Sequence, residues 1–307
     1  MKTYYGHGKL MLTGEYVVLK GAKTLALPTR FGQKFDVSGI DEPEVLWKSY
    51  DPTGHCWLTV NLSLPKLRLI SATYDVESEQ SDHDFAERLQ ELLLKVRALN
   101  PQFLEEDGGV MVESFLEFNR DWGLGSSSTL IYFLSRWANV DPYILLNKTF
   151  GGSGYDLACA GSSSPLIYQL IKGQPFVEKM DFQPKFSNDL FFVHLNKKMN
   201  SRKGIKHFLD QDQSRTDEVI KEIDGITKQV GRCELLVEFE TLMHRHEELI
   251  ASLLQMKTIK EELFPDYSGC VKSLGAWGGD FILATGSRDY FKEKGYSTII
   301  EYKDMIL

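Results

Sequence analysis

One stretch of the chain, residues 122–129, constrains the fold more than any other because it joins two elements through glycines and serines. The preceding residues, 109–118, have the composition of a strand, and the following residues, 130–137, form an apolar run typical of a helix. Gly123 and Gly125 can adopt positive φ and let the backbone approach an anion. The serines that follow can cap the helix, whose free N–H groups and dipole favour negative charge. The stretch therefore predicts a phosphate site.

The glycine pattern of this stretch differs from those of the two common nucleotide-binding loops. The third glycine of the dinucleotide fingerprint is missing, and no Gly-Lys-Ser/Thr sequence closes the turn. A tight turn with a serine cap would have the same sequence, so other parts of the chain must decide between the two interpretations.

Composition limits the classes of function that the chain can have. Its 307 residues suffice for two domains or one large one, and its formal net charge of −8 argues against nucleic-acid binding through bulk charge. The four cysteines lack metal-binding spacing, so no zinc site is predicted. No apolar stretch approaches the ~20 residues that span a bilayer, and no signal peptide is recognised. We expect a cytoplasmic protein with no nucleic-acid or membrane partner, and a homodimer is one option.

Residues 4–19 near the N-terminus carry a second signal. Gly6 and Gly8 precede an apolar segment, Lys9 is predicted where a turn meets a strand, and Glu15 begins a second apolar run. Charged residues beside glycines are usually exposed on the surface, and this alternative stays open for both charged residues.

A second glycine cluster, residues 151–161, contains one carboxylate, Asp156. Three glycines within residues 151–154 indicate a backbone that is pressed against another group, and the small residues after them indicate a tightly packed helix. Asp156 could cap that helix or belong to a site. A loop is predicted at residues 196–204, either as solvated surface or as an anion-binding rim, and its cations are Lys197, Lys198, Arg202 and Lys203.

A third glycine cluster, residues 272–280, leads into a predicted strand at 281–284. Composition shifts near residue 170, which predicts an N-terminal domain over 1–170 and a C-terminal domain over 171–307. The remaining predicted elements are a helix that Pro101 ends, a helix start at Asp141-Pro142, a hairpin around 172–175, a strand at 190–195, helices at 216–230 and 233–257, and a last strand at 297–302.

Four motifs in order resemble those of the GHMP kinases, a superfamily that includes galactokinase, homoserine kinase, mevalonate kinase and phosphomevalonate kinase. Residues 8–21 resemble the first motif and residues 123–128 the second, phosphate-binding motif. Residues 153–156 resemble the segment that carries the catalytic aspartate of the mevalonate kinase branch, and residues 272–280 resemble the third motif. The first motif, through residues 10–16, is most similar to mevalonate and phosphomevalonate kinases.

The resemblance implies an α+β fold with two domains: an N-terminal ATP-binding domain like ribosomal protein S5 domain 2, and a ferredoxin-like C-terminal domain, with the active site in the cleft between them. It also implies ATP and Mg²⁺ as cofactors. The backbone of the second motif would wrap the ATP phosphates, and Ser127 would be a ligand to Mg²⁺. The implied nucleotide-binding residues are Trp122, Gly123, Leu124, Gly125, Ser126, Ser127 and Ser128.

The resemblance further implies the catalytic and substrate-binding residues. Asp156 would accept or orient the proton of the attacking hydroxyl, and Lys9 beside it would keep it ionised and stabilise the transferred phosphoryl group. Glu15 would bind substrate or support the loop. The other implied substrate-binding residues are Lys197, Lys198, Ser201, Gly275, Ala276, Trp277 and Gly278.

The chain departs from the family pattern at three points. No proline precedes the glycines of the second motif, Trp277 occupies a position that is usually glycine, and no glutamate lies between Trp137 and Asp156 to bind metal. The sequence predicts a kinase that phosphorylates a hydroxyl or phosphate of a small anionic metabolite, mevalonate or phosphomevalonate. Two alternatives stay open: a diphosphomevalonate decarboxylase-like enzyme and a catalytically silent ATP-binding protein.

Overall fold

A computed structural model describes residues 1–75, 83–105, 108–199, 201–275 and 277–307. The chain forms two compact units that alternate along the sequence. The first unit comprises Met1–Gly8, Phe31–Arg120 and Gly125–Gly161, and the second comprises Lys9–Arg30, Asp121–Leu124 and Ser162–Leu307. The predicted domain boundary near residue 170 stays a prediction.

The first unit contains a mixed β-sheet, with both antiparallel and parallel strand pairs. The strands of the N-terminal half are β1 (Lys2–Met11), β2 (Thr24–Ile40), β3 (Glu44–Tyr50), β4 (Cys56–Ser63), β5 (Arg68–Tyr74) and β6 (Gly109–Leu116). Residues 33–40 of β2 pair antiparallel with β6, which pairs parallel with β3, and β3 continues through β4 to β5. Side chains of β3 and β4 alternate between buried and half-buried, as expected for strands with one face on a core.

Four helices pack with this sheet in the first unit: α1 (His83–Leu99), α2 (Ser126–Ala138), α3 (Pro142–Lys148) and α4 (Tyr155–Ala160). The helical spacing of leucines and valine in α1 puts Leu89, Leu93 and Val96 into the core. The rings of Phe35 in β2 and Phe133 in α2 stack 4.2 Å apart. The first unit therefore holds α2 and α4, which frame the predicted phosphate site, on a continuous apolar core.

The second unit contains a hairpin and a four-stranded sheet. The hairpin consists of β7 (Leu166–Ile171) and β8 (Gln174–Lys179), and β7 pairs with residues 24–26 of β2. The sheet contains β9 (Leu190–His194), β10 (Val271–Ser273), β11 (Phe281–Thr285) and β12 (Ile299–Glu301) in the antiparallel order β10-β11-β9-β12. Its helices are α5 (Ser201–Asp210), α6 (Thr216–Val230), α7 (Leu236–Leu254), α8 (Ile259–Leu263), α9 (Arg288–Glu293) and α10 (Tyr302–Met305).

The predicted α+β fold class is confirmed, and so are most predicted elements, with three corrections. The turn predicted before Lys9 is wrong, because β1 runs without interruption from Lys2 to Met11. The loop predicted at residues 196–204 is wrong from Ser201 onward, because those residues form the first turn of α5. The last strand is shorter than predicted because Tyr302 begins α10. Among the described residues, no helix is long and apolar enough to cross a membrane. The cytoplasmic location and the homodimer stay predictions.

Candidate active site

The glycine–serine stretch at residues 122–129, called the phosphate turn below after its predicted role, leads into α2 with the predicted backbone conformation. Gly123 and Gly125 have φ values of 66° and 92°. Gly125 is the N-cap residue and no side chain caps the helix, so the predicted serine cap is wrong. The N–H groups of Ser128 and Thr129 donate to the Gly125 carbonyl at 3.0 and 3.1 Å. Since only the first four N–H groups of a helix lack intrahelical partners, those of Ser126 and Ser127 are left for an anion.

The three serines of the turn differ in exposure. Ser126 is half-buried, Ser127 is exposed and Ser128 is buried. The hydroxyl of Ser128 donates to Oδ2 of Asp156 at 2.7 Å. This arrangement leaves Ser127 as the serine with its side chain in solvent at the start of α2, where a metal–phosphate group would need a hydroxyl ligand.

Asp156 lies in the first turn of α4, within the same unit as the serines. Gly154, with φ 86°, is the N-cap of α4, so the interpretation of Asp156 as the helix cap is wrong. The Asp156 carboxylate is half-buried and accepts two hydrogen bonds, one from Ser128 and one at 3.0 Å from the N–H of Leu157. The two bonds fix the direction of a carboxylate that remains accessible on one side, which is what a proton acceptor requires.

Small residues after Asp156 let α4 pack closely, as the sequence predicts. A Cβ added at Gly161, the residue that ends α4, would lie 2.8 Å from the ring of Tyr132 in α2. Packing at this distance leaves no room for a larger side chain. The close packing of α4 on α2 therefore sets the position of Asp156 relative to the serines.

Lys9 lies in β1, in the part of that strand that belongs to the second unit. Its Nζ donates to the carbonyl of Gly123 at 2.8 Å, and its backbone N–H donates to the carbonyl of Leu124 at 3.0 Å. Two hydrogen bonds thus tie the lysine to the backbone of Gly123 and Leu124 in the phosphate turn. Its predicted position beside Asp156 stays a prediction.

Asp280 also approaches the phosphate turn, although it is not among the predicted site residues. A Cβ at Gly123 would lie 2.4 Å from the Asp280 carboxyl carbon, so position 123 requires glycine. Burial raises the pKa of Asp280, while the N–H of Met199, which donates to its Oδ1 at 3.0 Å, and the charge of Lys9 oppose that rise. The only sequence signal for Asp280 is its place at the end of the third glycine cluster.

The four predicted cations Lys197, Lys198, Arg202 and Lys203, here called the cationic patch, lie partly beside the phosphate turn. Lys197 and Lys198 are exposed just after β9, and Lys198 Nζ lies 3.6 Å from a carboxylate oxygen of Asp121, the residue before Trp122. Trp122 packs edge-on against Phe281 at 5.5 Å. Of the other predicted residues in this patch, Arg202 and Lys203 are exposed on α5, and the side chain of Ser201 lies outside the described structure.

The third loop, residues 274–280, contains the predicted substrate-binding glycines. Gly275 and Gly278 have φ values of 75° and 90°. A Cβ at Gly279 would lie 2.5 Å from the carbonyl oxygen of Lys197, so the third loop packs directly on the backbone of the cationic patch. Trp277 is buried, and Ala276 lies outside the described residues.

Glu15 lies in a buried charge cluster of the second unit, with Lys272, Glu247 and His246. Lys272 Nζ lies 2.5 Å from Glu15 Oε1 and 3.2 Å from Glu247 Oε1, and each of the four residues is at most 1% exposed. Burial raises the pKa of Glu15 to about 7, although the charge of Lys272 opposes the rise. Burial favours neutral Lys272, but the two carboxylates outweigh this and raise its pKa.

His246 completes the cluster as a neutral side chain. Burial and the charge of Lys272 hold the pKa of His246 well below its usual range. Its Nε2 accepts the N–H of Gly14 at 2.9 Å and lies 3.3 Å from Glu15 Oε2. The sequence does not reveal Lys272, Glu247 or His246 as partners of Glu15, because a pattern within one element does not show which distant residues that element meets.

No group of three or more His, Cys, Asp or Glu side chains that could hold a metal ion occurs among the residues that the structure describes. A divalent ion at the phosphate turn would therefore depend on hydroxyl oxygens, few carboxylates and the ligand's own phosphates. Mg²⁺ is commonly bound through one or two carboxylates plus substrate phosphates, and a Ser or Thr hydroxyl is a ligand in the P-loop.

Comparison with solved structures gives full-length similarity to small-molecule kinases. A mevalonate kinase superimposes with a TM-score of 0.69 and 15% identity, covering 100% of this chain and 99% of that one. The mevalonate kinase of Methanococcus jannaschii has a TM-score of 0.66, 15% identity and coverage of 97% and 96%. The Streptococcus pneumoniae phosphomevalonate kinase in complex with phosphomevalonate and AMPPNP has a TM-score of 0.66, 15% identity and coverage of 98% and 100%. No protein-family model and no curated protein sequence matches the chain.

These similarities confirm the predicted GHMP kinase fold over the whole chain. At 15% identity or less they establish the fold, while activity has to be argued from the site. Within the first unit Ser128 and Asp156 come together, and within the second unit Lys9 and Asp280 both approach Gly123.

Proposed function

We propose that the chain is an ATP-dependent kinase of the GHMP type that transfers the γ-phosphoryl group to a hydroxyl or phosphate of a small anionic metabolite. The observation that carries the proposal is the hydrogen bond between Ser128 of the phosphate turn and Asp156 of α4. It places a directed carboxylate next to a helix N-terminus that favours anions, in a chain with the fold of mevalonate and phosphomevalonate kinases.

Each proposed residue has a part in binding or in proton movement. The N–H groups of Ser126 and Ser127, at the positive end of α2, would bind phosphate oxygens. Lys9 would hold the backbone of Gly123 and add positive charge near the phosphates. Asp156 would accept the proton of the acceptor group through the carboxylate oxygen that faces it. Phosphoryl transfer depends mainly on such positioning and charge neutralisation.

We propose Mg²⁺ as the metal, with Ser127 as its protein ligand. When bound, Mg²⁺ would neutralise charge on the phosphate oxygens. The exposed hydroxyl of Ser127 suits this role because it neighbours both the free amides and the Ser128–Asp156 pair.

The proposed acceptor is anionic, with mevalonate and phosphomevalonate as first candidates. Lys197 and Lys198 are exposed, and Lys198 lies near Asp121 at the entrance of the phosphate turn. Gly275, Gly278 and the backbone around Trp277 would line the acceptor side, because this loop packs on the backbone of the cationic patch.

The test is an ADP-release assay with Mg²⁺, ATP and each candidate acceptor, applied to the protein and to Asp156→Asn. The variant should lose about 10²–10⁴-fold in kcat, the usual contribution of a general base, while a non-hydrolysable ATP analogue binds almost as before. Asp217→Asn, an exposed aspartate in the first turn of α6, is the matched control and should retain full activity. Equal activity of Asp156→Asn and the control would remove Asp156 from this role.

Two other outcomes would favour the alternative functions. Release of CO₂ that depends on ATP would indicate a decarboxylase of the same fold. Binding of ATP with no transfer to any acceptor in a broad metabolite panel would indicate a silent nucleotide-binding protein, for which Trp277 in the third loop is the motivating departure.

A further inference from the structure

Four consecutive residues of the first motif each form a hydrogen bond to a different element of the second unit. The bonds are Thr13 Oγ1 with Thr227 Oγ1 of α6 (2.8 Å), Gly14 N–H to His246 Nε2 of α7 (2.9 Å), Lys272 Nζ of β10 to Glu15 Oε1 (2.5 Å), and Trp277 N–H of the third loop to Tyr16 Oη (3.0 Å). We call residues 13–16 the clip. The clip connects the first motif to α6, to α7, to β10 and to the third loop.

The clip contains a strained turn at Tyr16. Tyr16 has φ 64° and ψ −49°, and the N–H of Val17 donates to the carbonyl of Glu15 at 2.7 Å across it. These values describe a γ-turn with positive φ, a conformation that is rare and strained for a residue with a side chain. Such strain persists only where surrounding contacts over-determine the backbone, and it is concentrated at functional sites.

The contacts that hold this turn are made by Glu15 and by the Tyr16 hydroxyl. Glu15, the preceding residue, is fixed by Lys272, which also donates to the carbonyl of Ser273 at 2.5 Å. The Tyr16 hydroxyl accepts the N–H of Trp277, and a Cβ at Gly204 in α5 would lie 2.7 Å from that hydroxyl. Lys272 lies in β10, just before the third loop, and Trp277 lies within the loop, so the same turn is held from two points of one segment.

The positive charge of Lys272 suits it to holding Glu15 in one position. It is fully buried between two carboxylates, and removal of water makes the geometry of an ion pair strict. A buried ion pair contributes little net stability compared with apolar packing, and its best-attested use is to select one arrangement of the chain.

We propose that Glu15 is a positioning residue: its bond to Lys272 holds the strained turn at Tyr16, and Tyr16 in turn fixes the backbone of the third loop through Trp277. The consequence for catalysis, correct placement of the acceptor by that loop, rests on the proposed kinase function. The structural part of the inference does not depend on it.

Hydrogen–deuterium exchange measured by mass spectrometry tests the structural part. In Glu15→Gln, which keeps the size and removes the charge, the peptide that contains the Trp277 amide should exchange at least about tenfold faster, since a bond worth about 1.4 kcal/mol corresponds to that factor. Glu248→Gln, an exposed glutamate on α7, is the control and should leave this peptide unchanged. Unchanged exchange in Glu15→Gln would overturn the inference.

Tyr16→Phe provides a second variant, because it removes only the hydroxyl that accepts from Trp277. It should also accelerate exchange of the Trp277 peptide, and combining it with Glu15→Gln should add little, because both act through one bond. Fully additive effects, or an unaffected peptide in Tyr16→Phe, would show that Glu15 does not act through Tyr16.

Kinetics then separate failure of this inference from failure of the proposed function. If the chain is a kinase, Glu15→Gln should raise the KM for the acceptor at least about fivefold, with little change in the KM for ATP. Absence of kinase activity with accelerated exchange would reject only the function. An unchanged acceptor KM with unaltered exchange in an active enzyme would reject only the positioning role.

Discussion

Lys272→Met should destabilise the protein by about 3–5 kcal/mol at pH 8, the usual cost of removing one partner from a buried ion pair. The methionine is similar in length, so little packing is lost. What remains is a pair of carboxylates, Glu15 and Glu247, that are at most 1% exposed and that lose the ammonium 2.5 and 3.2 Å away. The free energy of unfolding can be measured by urea denaturation followed by circular dichroism.

This deficit should shrink as the pH falls from 8 to 5. The folded-state pKa of Glu15 is already raised from 4.5 to about 7 by burial, so the residue takes up a proton on folding. Its contribution to stability is fully present below pH 4.5 and is lost as the pH rises through 7. Without Lys272, which opposes that rise, the pKa values of Glu15 and Glu247 increase further, and neutral carboxyls no longer need the lysine. About half of the deficit should disappear at pH 5.

His246 should stay neutral after this substitution, because burial, the larger cause of its low pKa, remains and its Nε2 still accepts the N–H of Gly14. Lys292→Met is the control, since its ion pair with Asp289 is exposed and worth less than about 1 kcal/mol. A loss in Lys272→Met that is as small as in the control, or one that does not vary with pH, would refute this account of the cluster.

Two further substitutions test the phosphate turn and the cationic patch. Gly123→Ala should weaken binding of a non-hydrolysable ATP analogue at least about fivefold in calorimetry, since the added methyl group meets the Asp280 carboxylate and the backbone has positive φ. The control is Gly54→Ala, which also has positive φ but no atom within 4 Å of the added methyl group. Equal binding by both variants would contradict the packing argument. Lys198→Gln should raise the KM for an anionic acceptor about three- to tenfold and reduce its salt dependence; an identical effect of Lys179→Gln on the exposed end of β8 would indicate unspecific charge.

Elements that depend on local sequence were predictable, because the pattern that specifies them lies within the element. The glycines and serines at 122–129 indicated the turn before α2, and Asp141-Pro142 indicated the start of α3, where the Asp141 side chain accepts two backbone N–H groups. The α5 helix was missed because its first residues are cations and a glycine, which are equally common in loops. Local composition does not reveal that Gly204 faces the Tyr16 hydroxyl.

The features of the site that the sequence did not predict are contacts between residues that are far apart along the chain. Glu15 and Lys272 are 257 positions apart, and each lies in a motif that was recognised separately. Nothing in either motif states that the two charges meet in a dry interior, because burial depends on α7 packing over them. The family resemblance predicted roles for Asp156 and Lys9, whereas the partners that hold them, Ser128 and Gly123, become apparent only from the folded chain.

The departure at Trp277 illustrates the difference between a motif and the geometry that the motif serves. Positive φ occurs in the third loop at Gly275, Gly278 and Asp280, and Trp277 is not among the described residues with positive φ. Glycine is therefore needed at 275 and 278 for conformation, and at 279 because Lys197 is so close, but position 277 accepts a side chain without backbone strain. Its N–H still donates to Tyr16. The indole thus changes what fills the space beside the loop while the loop's backbone keeps its course, so the departure alone gives no reason to expect a silent protein.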